Sequence, residues 1–122
     1  MVTISCHALD AVRGVHAAAL GVTLRRCHPD GPATVVFSHA TDAGGRLLQP
    51  VDLRTPAQAD NDFELVLAAA DYWAAQPSPA GPSSTLRELA LRFRIGDSNA
   101  RYHFPISITP CSYSMLLVVQ NH

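Results

Sequence analysis

The sequence predicts an all-β fold: an antiparallel β-sandwich of eight strands in two sheets, with one short helix after the fifth strand. Three observations carry that expectation. Apolar and polar residues alternate with a period of two along nearly all of the 122 residues. Clusters of Gly, Pro, Asp and Asn cut the alternation at short intervals. One Ala-rich piece, ADYWAAQ, is the exception to the period.

The elements follow in order. Strands are expected at 2–9, 19–27, 34–40, 46–48, 63–69, 87–95, 101–109 and 112–120. In the first, Val2, Ile4, Cys6 and Ala8 fall on one face and Thr3, Ser5 and His7 on the other. VRGVH turns the chain after it, HPDGP after the second strand and DAGG after the third, while GDSN separates 87–95 from 101–109. In 87–95, Leu89, Leu91, Phe93 and Ile95 oppose Glu88, Arg92 and Arg94, the pattern of a half-buried strand. Residues 70–76 read as one or two helical turns, with Tyr72 and Trp73 covering the end of the core. The Pro/Ser/Gly cluster PSPAGPSS then reads as a loop.

Length and composition suit one domain, 1–122, with a single core. The net charge of −1 and the lack of a basic stripe argue against nucleic acid as a partner. No apolar run reaches the length that spans a bilayer, and no charged-then-apolar leader opens the chain, so no membrane partner is expected. Cys6, Cys27 and Cys111 are odd in number and match no zinc or redox spacing; they read as reduced residues of a cytoplasmic protein. All 9 basic residues are Arg, which excludes a lysine Schiff base.

The last strand, SYSMLLVVQ, is apolar on both faces. An edge strand of that kind needs a cover. Pairing edge to edge and then face to face gives a homotetramer, a dimer of dimers through the C-terminal strand. In 101–109, His103, Ser107 and Thr109 share the face opposite Tyr102, Phe104, Ile106 and Ile108. His7 and His103 therefore both point away from the sandwich core, toward solvent or that interface. Cys6 points the other way from His7, so the two form no dyad.

The stretches HALDAVRGVHAAALGVTL, TDAGGR, FELVLAAADYWAAQ and YHFPISITPCSYS resemble, in order and spacing, transthyretin and its enzyme relatives, the 5-hydroxyisourate hydrolases. The resemblance covers essentially the whole chain and implies a transthyretin-like sandwich. It also implies three catalytic residues. His7 stands where the hydrolases have their first histidine and transthyretin a lysine. Arg46, in TDAGGR, stands on the hydrolase arginine, where transthyretin has a glutamate. His103, in YHFP, stands on the histidine of the hydrolase YHVP, where transthyretin has a threonine. The C-terminus departs from the enzymes. Their YRGS is replaced by Leu116, Leu117, Val118 and Val119, followed by Gln-Asn-His. SYS at 112–114 and DAVRG at 10–14 resemble the carrier.

Two imidazoles across a narrow cavity suit acid–base work near neutral pH. One takes a proton from water and the other gives one to a leaving nitrogen. Arg46 adds a fixed positive charge for an anionic ring or an oxyanion. The resemblance implies water attack on the C6 carbonyl of 5-hydroxyisourate and opening of the N1–C6 bond, with no metal and no organic cofactor. Leu116 and Val118 share a face; with Ser114 they are the candidate substrate-binding residues. An apolar wall there removes hydrogen-bond partners from a polar purine derivative. Two alternatives therefore stand beside the urate-pathway hydrolase: a diverged enzyme opening or closing a more apolar ring in secondary metabolism, and a non-catalytic small-ligand carrier. His16 stands where both branches of the family have proline and is read as a turn residue; His28, His39 and His122 are read as turn or terminal residues.

Overall fold

The computed structural model describes residues 1–53, 61–77, 85–96 and 99–121. Ten strands and one helix lie among them: β1 (Val2–Asp10), β2 (Val15–His16), β3 (Gly21–His28), β4 (Gly31–Ala40), β5 (Arg46–Val51), β6 (Asp62–Leu67), α1 (Ala69–Ala74), β7 (Leu89–Arg94), β8 (Arg101–Ile108), β9 (Tyr113–Met115) and β10 (Val118–Gln120). They form two sheets. The first runs β10–β8–β1–β2, with β5 pairing β1 and β9 pairing β8; the second runs β4–β3–β6–β7. The two sheets and the single short helix agree with the sequence expectation. The loop at 78–84, the middle of GDSN at 97–98 and His122 fall outside the described residues.

Alternation fixes which face of each strand enters the core. Val2, Ile4, Cys6 and Ala8 on β1 and Tyr102, Phe104, Ile106 and Ile108 on β8 are buried. They meet Leu24, Phe63, Leu65 and Phe93 of the second sheet. Phe93 packs edge-on to Phe104 at 5.1 Å between ring centroids. Tyr72 is buried and Trp73 packs against the same cluster, as expected of the helix.

Four differences from the sequence expectation have physical causes. First, β1 and β8 pair in parallel, with Ser5 opposite His103 and His7 opposite Pro105; the other pairs are antiparallel. Period-two alternation is blind to strand direction. Second, β3 begins at Gly21 rather than at 19. Ala19 takes φ 60°, a turn conformation, and Leu20 N–H donates to Thr41 Oγ1 instead of to a neighbouring strand.

Third, the last strand breaks in two around Leu116 and Leu117. The register on β8 continues unbroken across that gap, from Ile106 opposite Met115 to His103 opposite Val118. Pro105 faces Leu116 there. Its carbonyl accepts Leu116 N–H at 3.0 Å, but proline has no N–H to return the second bond of the pair. Fourth, the VRGVH turn contains the two-residue strand β2, which pairs Leu9 with His16 and Asp10 with Val15.

Asp10 holds that turn. Its carboxylate accepts Val12 N–H and Arg13 N–H, both at 3.0 Å, the Arg13 Nε–H at 3.1 Å and the Tyr72 hydroxyl at 2.8 Å. Burial pushes its pKa up, but these hydrogen bonds outweigh burial and hold it below the usual carboxylate value. Asp10 and Arg13 thus form a local pair, with the helix tied in through Tyr72.

Candidate active site

The site grows from the outward face of the first sheet. His7 faces out from β1 because its neighbours Cys6 and Ala8 face the core. Cys6 is buried on the opposite face and its thiol is pushed up to about 11, mainly by burial, which leaves it inert. No Cys–His dyad forms there, as the alternation predicts.

Arg46 reaches His7 through the TDAGGR turn. Asp42 Oδ1 accepts the backbone N–H of Gly44 and of Arg46, both at 2.9 Å, closing the loop on itself. Gly45 has φ +72°, and a Cβ at that position would lie 2.5 Å from the Ala8 carbonyl oxygen, so only glycine fits. The Ala8 N–H donates to the Gly45 carbonyl at 2.8 Å. That register sets Arg46 directly opposite His7 on the β1–β5 pair.

His103 faces out from β8, beside Ser5 of β1. Ser5 Oγ and His103 Nδ1 lie 2.7 Å apart, and Arg101 Nε–H donates to the same Ser5 oxygen at 3.0 Å. The face thus carries two adjacent rows. One holds Leu48, Ser5, His103 and Val118; the other holds Arg46, His7, Pro105 and Leu116. His7, Arg46 and His103 are brought together on one surface.

Electrostatics follow from that crowding. Burial first, then the Arg46 guanidinium and His16, hold the His7 imidazole below its ordinary value; the Gly44 backbone and Asp42 pull the other way without overturning this. Burial first, then Arg101, Arg46 and His7, depress His103. Both rings therefore favour the neutral, proton-accepting form.

The candidate substrate residues divide. Leu116 (58 % exposed) and Val118 (42 % exposed) lie on the outward face, Val118 directly across from His103. Leu117 packs against the core instead. Ser114 is opposite Ser107, four residues along β8 from His103, on the same face but away from the two imidazoles.

Three residues on this face were missed in the sequence. Leu48 is 58 % exposed and opposite Ser5; its spacing of two from Arg46 was the available signal. Ser5 shares the alternation of His7, but its partner is 98 residues away. His16, read as a turn residue, lies with Nδ1 3.1 Å from His7 Nε2 and its ring centroid 5.1 Å from that of His7.

Comparison with known proteins places the fold in a family. Residues 4–116 match the model of the HIUase/Transthyretin family. The chain is 34 % identical over 112 residues to the 5-hydroxyisourate hydrolase of Deinococcus radiodurans, covering 91 % of each chain. It is 34 % identical over 116 residues to that of Mesorhizobium japonicum, covering 91 % of this chain and 87 % of the relative. Among solved structures, Klebsiella pneumoniae 5-hydroxyisourate hydrolase superposes with a TM-score of 0.70 at 27 % identity, over 95 % of this chain and 98 % of the other. Sparus aurata transthyretin superposes with a TM-score of 0.79 at 21 % identity, over 97 % of both, a likeness of fold. The chain belongs to the HIUase/transthyretin family.

Proposed function

We propose that this chain is a hydrolase of the 5-hydroxyisourate type, opening a urate-derived ring with water and using His7, His103 and Arg46. The observation that carries this is their convergence on one sheet face, with Arg46 directly opposite His7 and His103 held by Ser5. One imidazole takes a proton from the attacking water as the other protonates the leaving ring nitrogen. Arg46 stabilises negative charge developing on the carbonyl oxygen. The Ser5 hydrogen bond holds the His103 ring across from His7. This chemistry needs no metal or organic cofactor, because both proton transfers are carried by imidazoles.

The exposed Leu9, Leu48, Leu116 and Val118 crowd the same face. Covering them with further copies of the chain gives the homotetramer expected from the last strand and turns an open face into a partly dry channel. The working form is then a cytoplasmic enzyme, in keeping with three cysteines that are all free.

A second reading is favoured by Leu48, Val118 and Leu116, which flank the imidazoles with apolar surface: the same acid–base pair acting on a more apolar ring. Adding purified protein to freshly generated 5-hydroxyisourate and following its ultraviolet decay separates the two. Decay faster than the spontaneous reaction, lost in His7→Ala and His103→Ala, supports the hydrolase. Decay at the spontaneous rate with folded protein overturns it and leaves the apolar-ring reading. Binding of a small ligand with no turnover of any ring substrate would leave the carrier.

A further inference from the structure

The turn that carries β2 ends beside the site. Gly14, at φ +69°, reverses the chain, and Leu9 pairs with His16 across the β1–β2 ladder. Leu9 is on the outward face of β1, so His16 opposite it is on that face too. The Ala17 N–H then donates to the Ala8 carbonyl at 2.9 Å, fixing the chain just after His16. The turn bearing Arg46 comes up against it: a Cβ added to Gly45 would lie 3.2 Å from the His16 Cβ. His16 is thereby fixed between two anchored turns, with its Nδ1 3.1 Å from His7 Nε2.

A hydrogen bond between two imidazole nitrogens requires one to carry the proton and the other to lack it. While bonded, the pair carries at most one positive charge. Together with the hydrogen bond to the Gly44 backbone, the bond restricts the His7 ring from turning about its side-chain torsions. The groups facing His7 are Arg46 on β5, Asp42 in the turn before it, His16 on β2 and His103 on β8. Of these, His16 is the side chain hydrogen-bonded to the His7 ring.

We propose that His16 is a positioning residue for His7, holding its ring in one orientation and one proton arrangement across the face from His103. This rests on the hydrolase reading for its kinetic consequence, but the pairing itself stands on geometry. Removing the bond leaves the fold's two turns in place and loosens the ring, whose remaining hydrogen bond is to the Gly44 backbone. A mispositioned reacting group costs up to about a hundredfold in rate, and a loss of roughly tenfold in kcat with little change in KM is expected for a ring that is loosened rather than removed.

The test uses the full-length protein with His16→Phe and His16→Asn, read by two methods. Asn keeps a hydrogen-bonding atom near the place of the imidazole Nδ1 but cannot be charged. Ring-nitrogen NMR follows the tautomer and titration of His7; kinetics on 5-hydroxyisourate follow kcat, KM and their pH dependence. The expected result is a changed His7 tautomer signature and lower kcat in His16→Phe, with both largely restored in His16→Asn. Unchanged His7 signals in His16→Phe overturn the proposal, as does an equal loss of kcat in both variants. If wild-type protein fails to turn over 5-hydroxyisourate while the NMR response to His16→Phe and its rescue persist, the hydrolase reading fails and the His7–His16 pair stands.

Discussion

The two sheets turn similar polar faces outward and treat charge in opposite ways. On the second sheet, cations and carboxylates sit across from one another: Arg94 with Asp62 at 2.9 Å and Arg25 with Glu64 at 3.5 Å. The hydrogen bond between them lowers Asp62 and raises Arg94, so each charged form is favoured. On the first sheet, Arg46, Arg101 and two histidines crowd together, and both imidazoles are pushed toward neutrality. A solvated face settles into opposite-sign pairs. A face that gathers imidazoles beside guanidinium groups, with apolar neighbours, gives up that neutralisation and gains groups able to accept protons at neutral pH. The difference teaches which face is suited to proton transfer.

The largest expected effect comes from deleting the imidazoles. His7→Ala and His103→Ala each lower kcat/KM for 5-hydroxyisourate by about a hundredfold or more, the scale of a lost acid–base group. Arg94→Gln, on the other sheet, leaves the same rate at the wild-type value. Equal losses from both faces would erase the contrast.

Turning the first face into the second kind sharpens it. Arg46→Glu places a carboxylate opposite His7, removes a positive charge and raises the His7 pKa. The sign follows directly. With His7 depressed, its neutral, proton-accepting form persists below the ordinary imidazole value of about 6.5, so the acid limb that its titration sets in the wild-type profile lies on the acid side of that value. In Arg46→Glu the acid limb moves upward, alongside a loss of about a hundredfold for the missing positive charge. An acid limb that stays in place in the rate–pH profile would show that Arg46 does not set the His7 titration.

A smaller effect is expected at Ser5. Ser5→Ala removes the partner of His103 Nδ1 and lowers kcat by roughly tenfold, by loosening the ring rather than deleting it. Single-turnover rates on the folded variant check this. The smallest effect belongs to the Arg94–Asp62 pair, where Asp62→Asn leaves the melting temperature within the scatter of repeated scans, because an exposed pair is screened by water and salt.

Much of this was legible along the chain. Alternation placed His7 and His103 outward and Cys6 inward, and the resemblance to transthyretin and the hydrolases pointed to Arg46 and to the common role proposed for the three. Leu116 and Val118 were assigned to one face by the same period, and they lie there. Ser114 followed the period but not the site, since a face is as long as its strand and a site is short. His16 was misread because a turn residue gives no sign of which neighbour its side chain will meet.

The sequence by itself determined the faces: which side chains enter the core, where glycine must stand in the TDAGGR turn, and which residue types are offered outward. These are local matters, set by the two-residue period of a strand and by single-residue conformational limits. The tertiary structure decided the pairings. The parallel register of β1 on β8 brought Ser5 to His103 and Arg101 to Ser5, across 98 and 96 residues of chain. The antiparallel register of β9 and β10 on β8 set Pro105 opposite Leu116, where the missing N–H splits the last strand. No periodicity encodes a register between strands so far apart, because register is chosen by the packing of the whole core, and the hydrogen bonds of the site follow from it.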